Sequence, residues 1–151
     1  MLVFTKADQD DIPVIYDLYR KKVLRYEDPT VADPQEASAA LLDALNGRLS
    51  LIEKVTVDSC TAAYCSLKNE IDGTVLLCDL LVLPEYRKKG IGSEVLAYCM
   101  KKADGMVYRY VYTKDQTERS FYENRGFRIV RMASPTRCVL ACTPSRKGRS
   151  R

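Results

Sequence analysis

The stretch that most constrains this chain is Val75-Leu-Leu-Cys-Asp79-Leu-Leu-Val82-Leu-Pro84-Glu-Tyr-Arg87-Lys-Lys-Gly90-Ile-Gly92. An apolar run carrying one acid reaches a proline, then a basic loop with two glycines, then an amphipathic segment from Ser93 to Ala103. Such a run predicts a strand, a turn and a helix in succession. Glycines let successive N–H groups turn toward one point, and the positive end of the following helix aims at the same place. Arg87, Lys88 and Lys89 add three cations. The unit therefore predicts a seat for a phosphate or pyrophosphate. It does not fit the Walker A pattern, having no Gly-Lys-Ser/Thr, nor the full dinucleotide fingerprint, because Val95 stands where a third glycine would be.

On either side of this unit the pattern alternates between strand and helix periods. Leu2–Thr5 reads as a first strand, and a helix follows from Asp10-Asp11-Ile12-Pro13 to about Leu24. Asp33-Pro34 with Glu36 caps a second helix, which Gly47 ends. Residues 50–57, 60–67 and 75–83 read as strands, the last two joined by a turn at Asn69–Gly73. After the glycine-loop helix come a strand over 106–113, a short helix over 117–124, and a hairpin of 127–132 with 137–142. The expected class is α/β, a mixed sheet of six to seven strands flanked by four helices. Residues 1–144 form one domain, and 145–151 are a basic tail with no apolar content.

At 151 residues and 46% apolar composition the chain can bury a real core. Its N-terminus lacks the features of a signal peptide, and no apolar run is long enough to span a bilayer, so a cytoplasmic protein without membrane contact is expected. Five or more of the six cysteines read as small core hydrophobes. The chain has no histidine, so the common zinc patterns are closed to it and no metal is expected. Proton transfer falls to a carboxylate, Tyr, Cys, Lys, a terminus or water. The net charge of +4 resides in the tail; residues 1–60 carry a net −4 and residues 61–145 a net +4. That division suits a protein meeting a cation with its front half and an anion with its back half. A tail of four charges is thin support for nucleic-acid binding, which is not expected.

Leu80-Leu-Val82-Leu-Pro84-Glu-Tyr-Arg87-Lys-Lys-Gly90-Ile-Gly92 resembles the signature of the GCN5-related N-acetyltransferase superfamily. Phe121-Tyr122-Glu123-Asn-Arg-Gly126-Phe127 resembles its second hallmark, and the element order matches that fold over residues 1–143. The resemblance implies acetyl-CoA as acyl donor and a small primary amine as acceptor, with direct transfer in a ternary complex. Arg87, Lys88, Lys89, Gly90, Ile91 and Gly92, with the Ser93 hydroxyl, would hold the pyrophosphate. The backbone of Leu80, Leu81 and Val82 would pair with the pantetheine arm, which would pass between two splayed parallel strands. Tyr122 matches the general acid. Asp79, the one acid inside an apolar run, is the candidate base, acting directly or through water, and would face the amine.

Gly90–Leu96 and Leu24-Arg-Tyr26-Glu27 most resemble the diamine (spermidine/spermine-type) acetyltransferases. That likeness implies Tyr26, Glu27 and Asp28 as acceptor-binding residues and a polyamine or small diamine as acceptor. Two departures stand out. Cys78 occupies the position of that subfamily's catalytic acid, and Asp115 and Glu118 replace the asparagine and small residue that precede the Phe-Tyr pair, Asp115 still falling at the cofactor arm. Acetylation of a protein lysine or N-terminus, and a non-catalytic CoA-binding module, remain alternatives. A homodimer is expected by analogy with related small enzymes.

Overall fold

The computed structural model describes residues 1–27 and 33–144. The basic tail and Asp28 lie outside the described residues. The chain runs through β1 (Leu2–Lys6), α1 (Ile12–Tyr26), α2 (Pro34–Gly47), β2 (Glu53–Val57), β3 (Cys60–Asn69), β4 (Val75–Val82), α3 (Ile91–Lys102), β5 (Val107–Tyr112), α4 (Gln116–Glu123), β6 (Arg128–Met132) and β7 (Arg137–Cys142). This is the order of elements expected from the sequence. The largest boundary shift is at β2: residues 49–51 form a 3-10 turn where an early start of that strand was expected, so β2 begins at Glu53.

All seven strands join one mixed sheet in the order β1-β2-β3-β4-β5-β7-β6. Neighbours are antiparallel except β4 and β5, which run parallel. The helix between them makes the crossover that a parallel pair needs. One core cluster includes Leu77, Leu80, Val95, Cys99, Val107, Tyr122 and Phe127. A second gathers Ile12, Ile15, Leu45, Ile52, Tyr64 and Leu81 from α1, α2 and the sheet. Alternation along β4 explains the division, since Leu80 belongs to the first cluster and Leu81 to the second.

Two local features shape the centre of the sheet. Ser66 pairs with Asp79 and Leu67 with Leu77, so Cys78 is an extra residue on β4, a β-bulge. Beyond the bulge β4 leaves β5; their pairing is confined to Val75 with Val107 and Leu76 with Tyr108. At the opposite end, a Cβ on Gly105 would come within 2.1 Å of the Gly73 carbonyl oxygen. The connection into β5 can therefore press against the β3–β4 turn only because Gly105 has no side chain.

Three cysteines, Cys65, Cys99 and Cys138, are buried, Cys78 and Cys142 are half-buried, and Cys60 is exposed. This is fewer in the core than the sequence suggested, because Cys60 opens β3 beside a turn and Cys78 sits on the bulge. No helix among the described residues is long and apolar enough to cross a membrane.

Candidate active site

The basic loop leaves β4 through a 3-10 turn at Pro84–Tyr86. Lys88 and Gly90 both adopt left-handed backbone, with φ of 62° and 82°. Gly90 is the N-cap of α3 and provides no side-chain cap. The N–H groups of Ile91, Gly92 and Ser93 have no carbonyl four residues back within the helix. The first such bond is Glu94 N–H to the Gly90 oxygen, at 3.2 Å. Three N–H groups thus converge at the positive end of a twelve-residue helix. Arg87 contributes differently from the expectation: its N–H donates to the Pro84 oxygen, at 3.3 Å, and its Nε donates to the Val82 oxygen, at 3.0 Å. It secures the turn, while Lys88 and Lys89 remain exposed.

Sequence reasoning missed a fourth cation here. Arg125 stacks on the Phe121 ring, 4.0 Å from its centroid, and donates to the Ser93 hydroxyl oxygen from Nε (3.1 Å) and Nη2 (2.6 Å). The Phe121 ring in turn lies 3.4 Å from where a Cβ on Gly92 would be, so that glycine admits the aromatic against the loop. Gly126, in left-handed conformation with φ of 95°, ends the α4 turn and returns Phe127 to the core. The signal was present: Arg125 sits inside the second hallmark, four residues after Phe121 and so one helical turn away.

Tyr122 is fully buried, and its Oη has no hydrogen-bond partner among the described residues. Burial pushes the phenol pKa well up, and the Arg109 guanidinium, 5.7 Å from the ring centroid, only partly opposes it. The hydroxyl thus holds its proton at neutral pH. Arg109 occupies the point where β4 and β5 part. Its Nη1 donates to the Leu77 and Cys78 oxygens (3.2 and 2.9 Å), and its Nη2 donates to Glu118 (3.0 Å). It satisfies carbonyls that the diverging strand no longer reaches. Glu118 also meets Lys22 at 2.9 Å, and Lys22 meets Asp115 at the same distance. Asp115 caps α4 by accepting the Glu118 N–H, at 3.1 Å. Its carboxylate is therefore engaged by α4 and by Lys22 from α1. The arginine was legible as the one cation on the buried side of Val107-Tyr-Arg-Tyr-Val-Tyr112.

Asp79 is inaccessible to solvent and caged. The Arg48 guanidinium grips both oxygens, Nε to Oδ2 at 2.9 Å and Nη2 to Oδ1 at 2.7 Å. The Tyr19 hydroxyl donates at 2.5 Å, and the Ser66 hydroxyl donates to Oδ2. Burial raises the carboxyl pKa, but Arg48, Ser66 and Tyr19 outweigh it and hold it below its ordinary range. A carboxylate with four donors and a depressed pKa is a weak proton acceptor. The cage makes Asp79 a fixed anion that orients Tyr19 and Arg48, an arrangement that weighs against the base role expected for it.

Tyr19, Lys22, Glu27, Arg48, Cys78, Arg109, Tyr112, Glu118 and Arg137 contribute to the wall of a cavity of about 670 Å³ between α1, α2 and the diverging strands. Glu27 accepts from the hydroxyls of Tyr112 (3.1 Å) and Thr136 (2.9 Å), and Tyr26 stacks on Tyr112 at 5.6 Å. The fold thus gathers Glu27, Cys78 and Glu118 around one space, with Tyr26 reaching it only through its stack on Tyr112, while the glycine loop lies beyond the C-terminal end of β4.

An acetyltransferase (GNAT) domain model matches residues 51–129. The chain belongs to the GNAT acetyltransferase family. The sequence alone matches no curated protein. Among solved structures it resembles the PaiA N-acetyltransferase of Thermoplasma acidophilum in complex with coenzyme A (19% identity, 95% of this chain and 99% of that one, TM-score 0.67). It also resembles the ribosomal-protein-S18-alanine N-acetyltransferase of Escherichia coli (17%, 100% and 99%, 0.65). A third is YncA of Salmonella typhimurium with its cofactor acetyl-CoA (17%, 95% and 94%, 0.64). At these identities the likeness is one of fold. Family membership makes this GNAT protein an acyltransferase with acetyl-CoA as donor. The residues present fit that donor: a loop with free N–H groups, a gap beside β4, and an unpartnered hydroxyl in the buried layer.

Proposed function

We propose that this protein transfers the acetyl group of acetyl-CoA to a small primary amine by direct attack, with Tyr122 as the proton donor to the departing thiolate. The observation that carries this reading is the fully buried, unpartnered Tyr122 hydroxyl beside the divergence of β4 and β5. A polar group left without a partner in a protein interior is costly unless something else meets it.

Acetyl-CoA supplies an acetyl group activated as a thioester. In this reading the N–H groups of Ile91, Gly92 and Ser93 bind the pyrophosphate, with Lys88, Lys89, Gly90 and Arg125 around it. The β5-facing edge of Leu80, Leu81 and Val82, which β5 does not pair, offers backbone groups to the arm, and one N–H there polarises the carbonyl. Arg109, bonded to the Leu77 and Cys78 carbonyls, closes the inner end of the gap. As the amine nitrogen bonds the acetyl carbon, the C–S bond breaks, Tyr122 Oη gives its proton to sulfur, and the amine proton leaves to water. The nearby Arg109 cation favours the phenolate that results, until solvent returns the proton.

For the acceptor, a polyamine or small diamine is supported by Glu27 on the cavity wall and opposed by Lys22, Arg48, Arg109 and Arg137 on the same wall. A cytoplasmic setting is supported by the free thiols. The decisive experiment is thiol release from acetyl-CoA by the purified protein with a panel of small amines. Amine-dependent release is expected. Binding of CoA without release for any amine would leave a non-catalytic CoA-binding module; transfer to peptides alone would favour protein acetylation.

A further inference from the structure

The charges lining the cavity can be matched pair by pair. Lys22 and Arg109 are compensated by Asp115 and Glu118 in one continuous network, with contacts of 2.9–3.0 Å. Arg48 is compensated by Asp79, at 2.7 Å. Glu27 and Arg137 are left. Among the described residues the Glu27 carboxylate accepts only from neutral hydroxyls, those of Tyr112 and Thr136, which solvate its charge without cancelling it. Arg137 has its guanidinium carbon 5.9 Å from the Tyr112 ring centroid. Among the described residues it forms no ion pair, with Glu27 or with any other acid. Tyr112 and Arg137 are opposite one another in the β5–β7 register, so the tyrosine that donates to Glu27 stands beside the arginine. Among the described residues the cavity wall therefore presents one uncompensated anion and one uncompensated cation, flanking the same aromatic ring.

From this we infer that the acceptor is an amine that also carries a carboxylate, its anion on Arg137 and its ammonium drawn in by Glu27. The inference rests on the transferase reading above. A diamine would satisfy Glu27 with one ammonium and bring a second positive charge toward Arg137, a like-charge approach that costs affinity. A simple alkylamine would leave Arg137 unmatched. Only a ligand with one charge of each sign meets both groups.

The test uses the full chain, saturating acetyl-CoA and three acceptors of matched length: aminohexanoate, hexylamine and diaminohexane. Aminohexanoate is expected to give kcat/KM about tenfold above diaminohexane, the scale of one charge-assisted contact. Arg137→Gln should bring the aminohexanoate-to-hexylamine ratio toward one, and Arg137→Glu should turn the preference toward the diamine. Because Arg137 is exposed at the start of β7, unchanged circular dichroism would show that the variants stay folded. A wild-type preference for diaminohexane, or a preference that Arg137→Glu does not move, would overturn the inference while leaving the transferase reading intact. No acetylation of any of the three, with CoA still bound, would instead overturn the small-amine reading and this inference with it.

Discussion

Tyr122 shows how one side chain can be read from a motif and yet gain its meaning from burial. Its place after Phe121 suggested an acid. Its full burial and missing partner are the physical ground for proposing that role, since a phenol whose pKa is pushed up would stay protonated until a thiolate arrives. Tyr122→Phe removes the proton without emptying the core. We expect kcat to fall by roughly 10²–10⁴, as for loss of a general acid, while the CoA dissociation constant, measured by calorimetry, moves only a few-fold. An unaltered kcat would place the donor elsewhere. The same residue-level chemistry sets the pH profile. Asp79 is held ionised and engaged, and Cys78 is pushed up by burial, so neither loses or gains a proton near neutrality. With water taking the amine proton, kcat/KM for the amine should rise about tenfold per pH unit toward the amine pKa of about 10.4. A plateau beginning near pH 7 would reveal a base on the chain.

At the scale of elements, the strand–loop–helix unit from β4 to α3 was legible because every part of it is local. The Pro84 break, the Gly90 left-handed cap and the Val95, Leu96 and Cys99 face lie within one window of sequence. The cage around Asp79 was not, because its donors come from α1, the end of α2 and β3, at separations of 60, 31 and 13 residues. Which acid is locked and which is free depends on those distant partners. Asp115 and Glu118 looked like departures from a pattern; with Lys22 and Arg109 in place they are halves of ion pairs. The close contact of Gly105 with the β3–β4 turn was equally hidden, since a glycine after a helix reads first as a stop signal. Gly105→Ala would put a methyl 2.1 Å from a carbonyl oxygen, and the backbone must shift to admit it. A loss of about 1–3 kcal/mol in urea unfolding is expected, the usual range for forced overpacking; a change below about 0.5 kcal/mol would show that the two turns separate freely.

Across the whole molecule, two buried carboxylates tie stability to pH. Asp79 is held low against its burial by Arg48, Ser66 and Tyr19. Asp11, also buried, is held low by the Asp8 backbone, Tyr64 and Lys54. For both, the folded pKa lies below the unfolded value of about 3.9. Their stabilisation is complete above that value and is lost as pH falls through the folded pKa values. The urea midpoint should be flat from neutrality to about pH 5 and then drop as pH falls below about 4. Asp79→Asn, which leaves the half-buried Arg48 without its ion-pair partner, should cost about 1–3 kcal/mol at pH 7 and flatten that acid slope. An unchanged slope would assign the acid sensitivity to other groups.

The short pairing of β4 with β5 has a mechanical meaning. The seven-stranded sheet is two plates, β1 to β4 and β5 with β7 and β6, joined along two residue pairs and the bonds that Arg109 makes to β4 carbonyls. Each plate presents an unfinished edge to the gap between them. In the proposed binding mode the donor's arm threads the gap and pairs with the β4 edge as a missing strand, so the sheet would be completed by its own donor. Occupancy of the site and rigidity of the fold would then be one equilibrium, a protein short of acetyl donor being also a looser one.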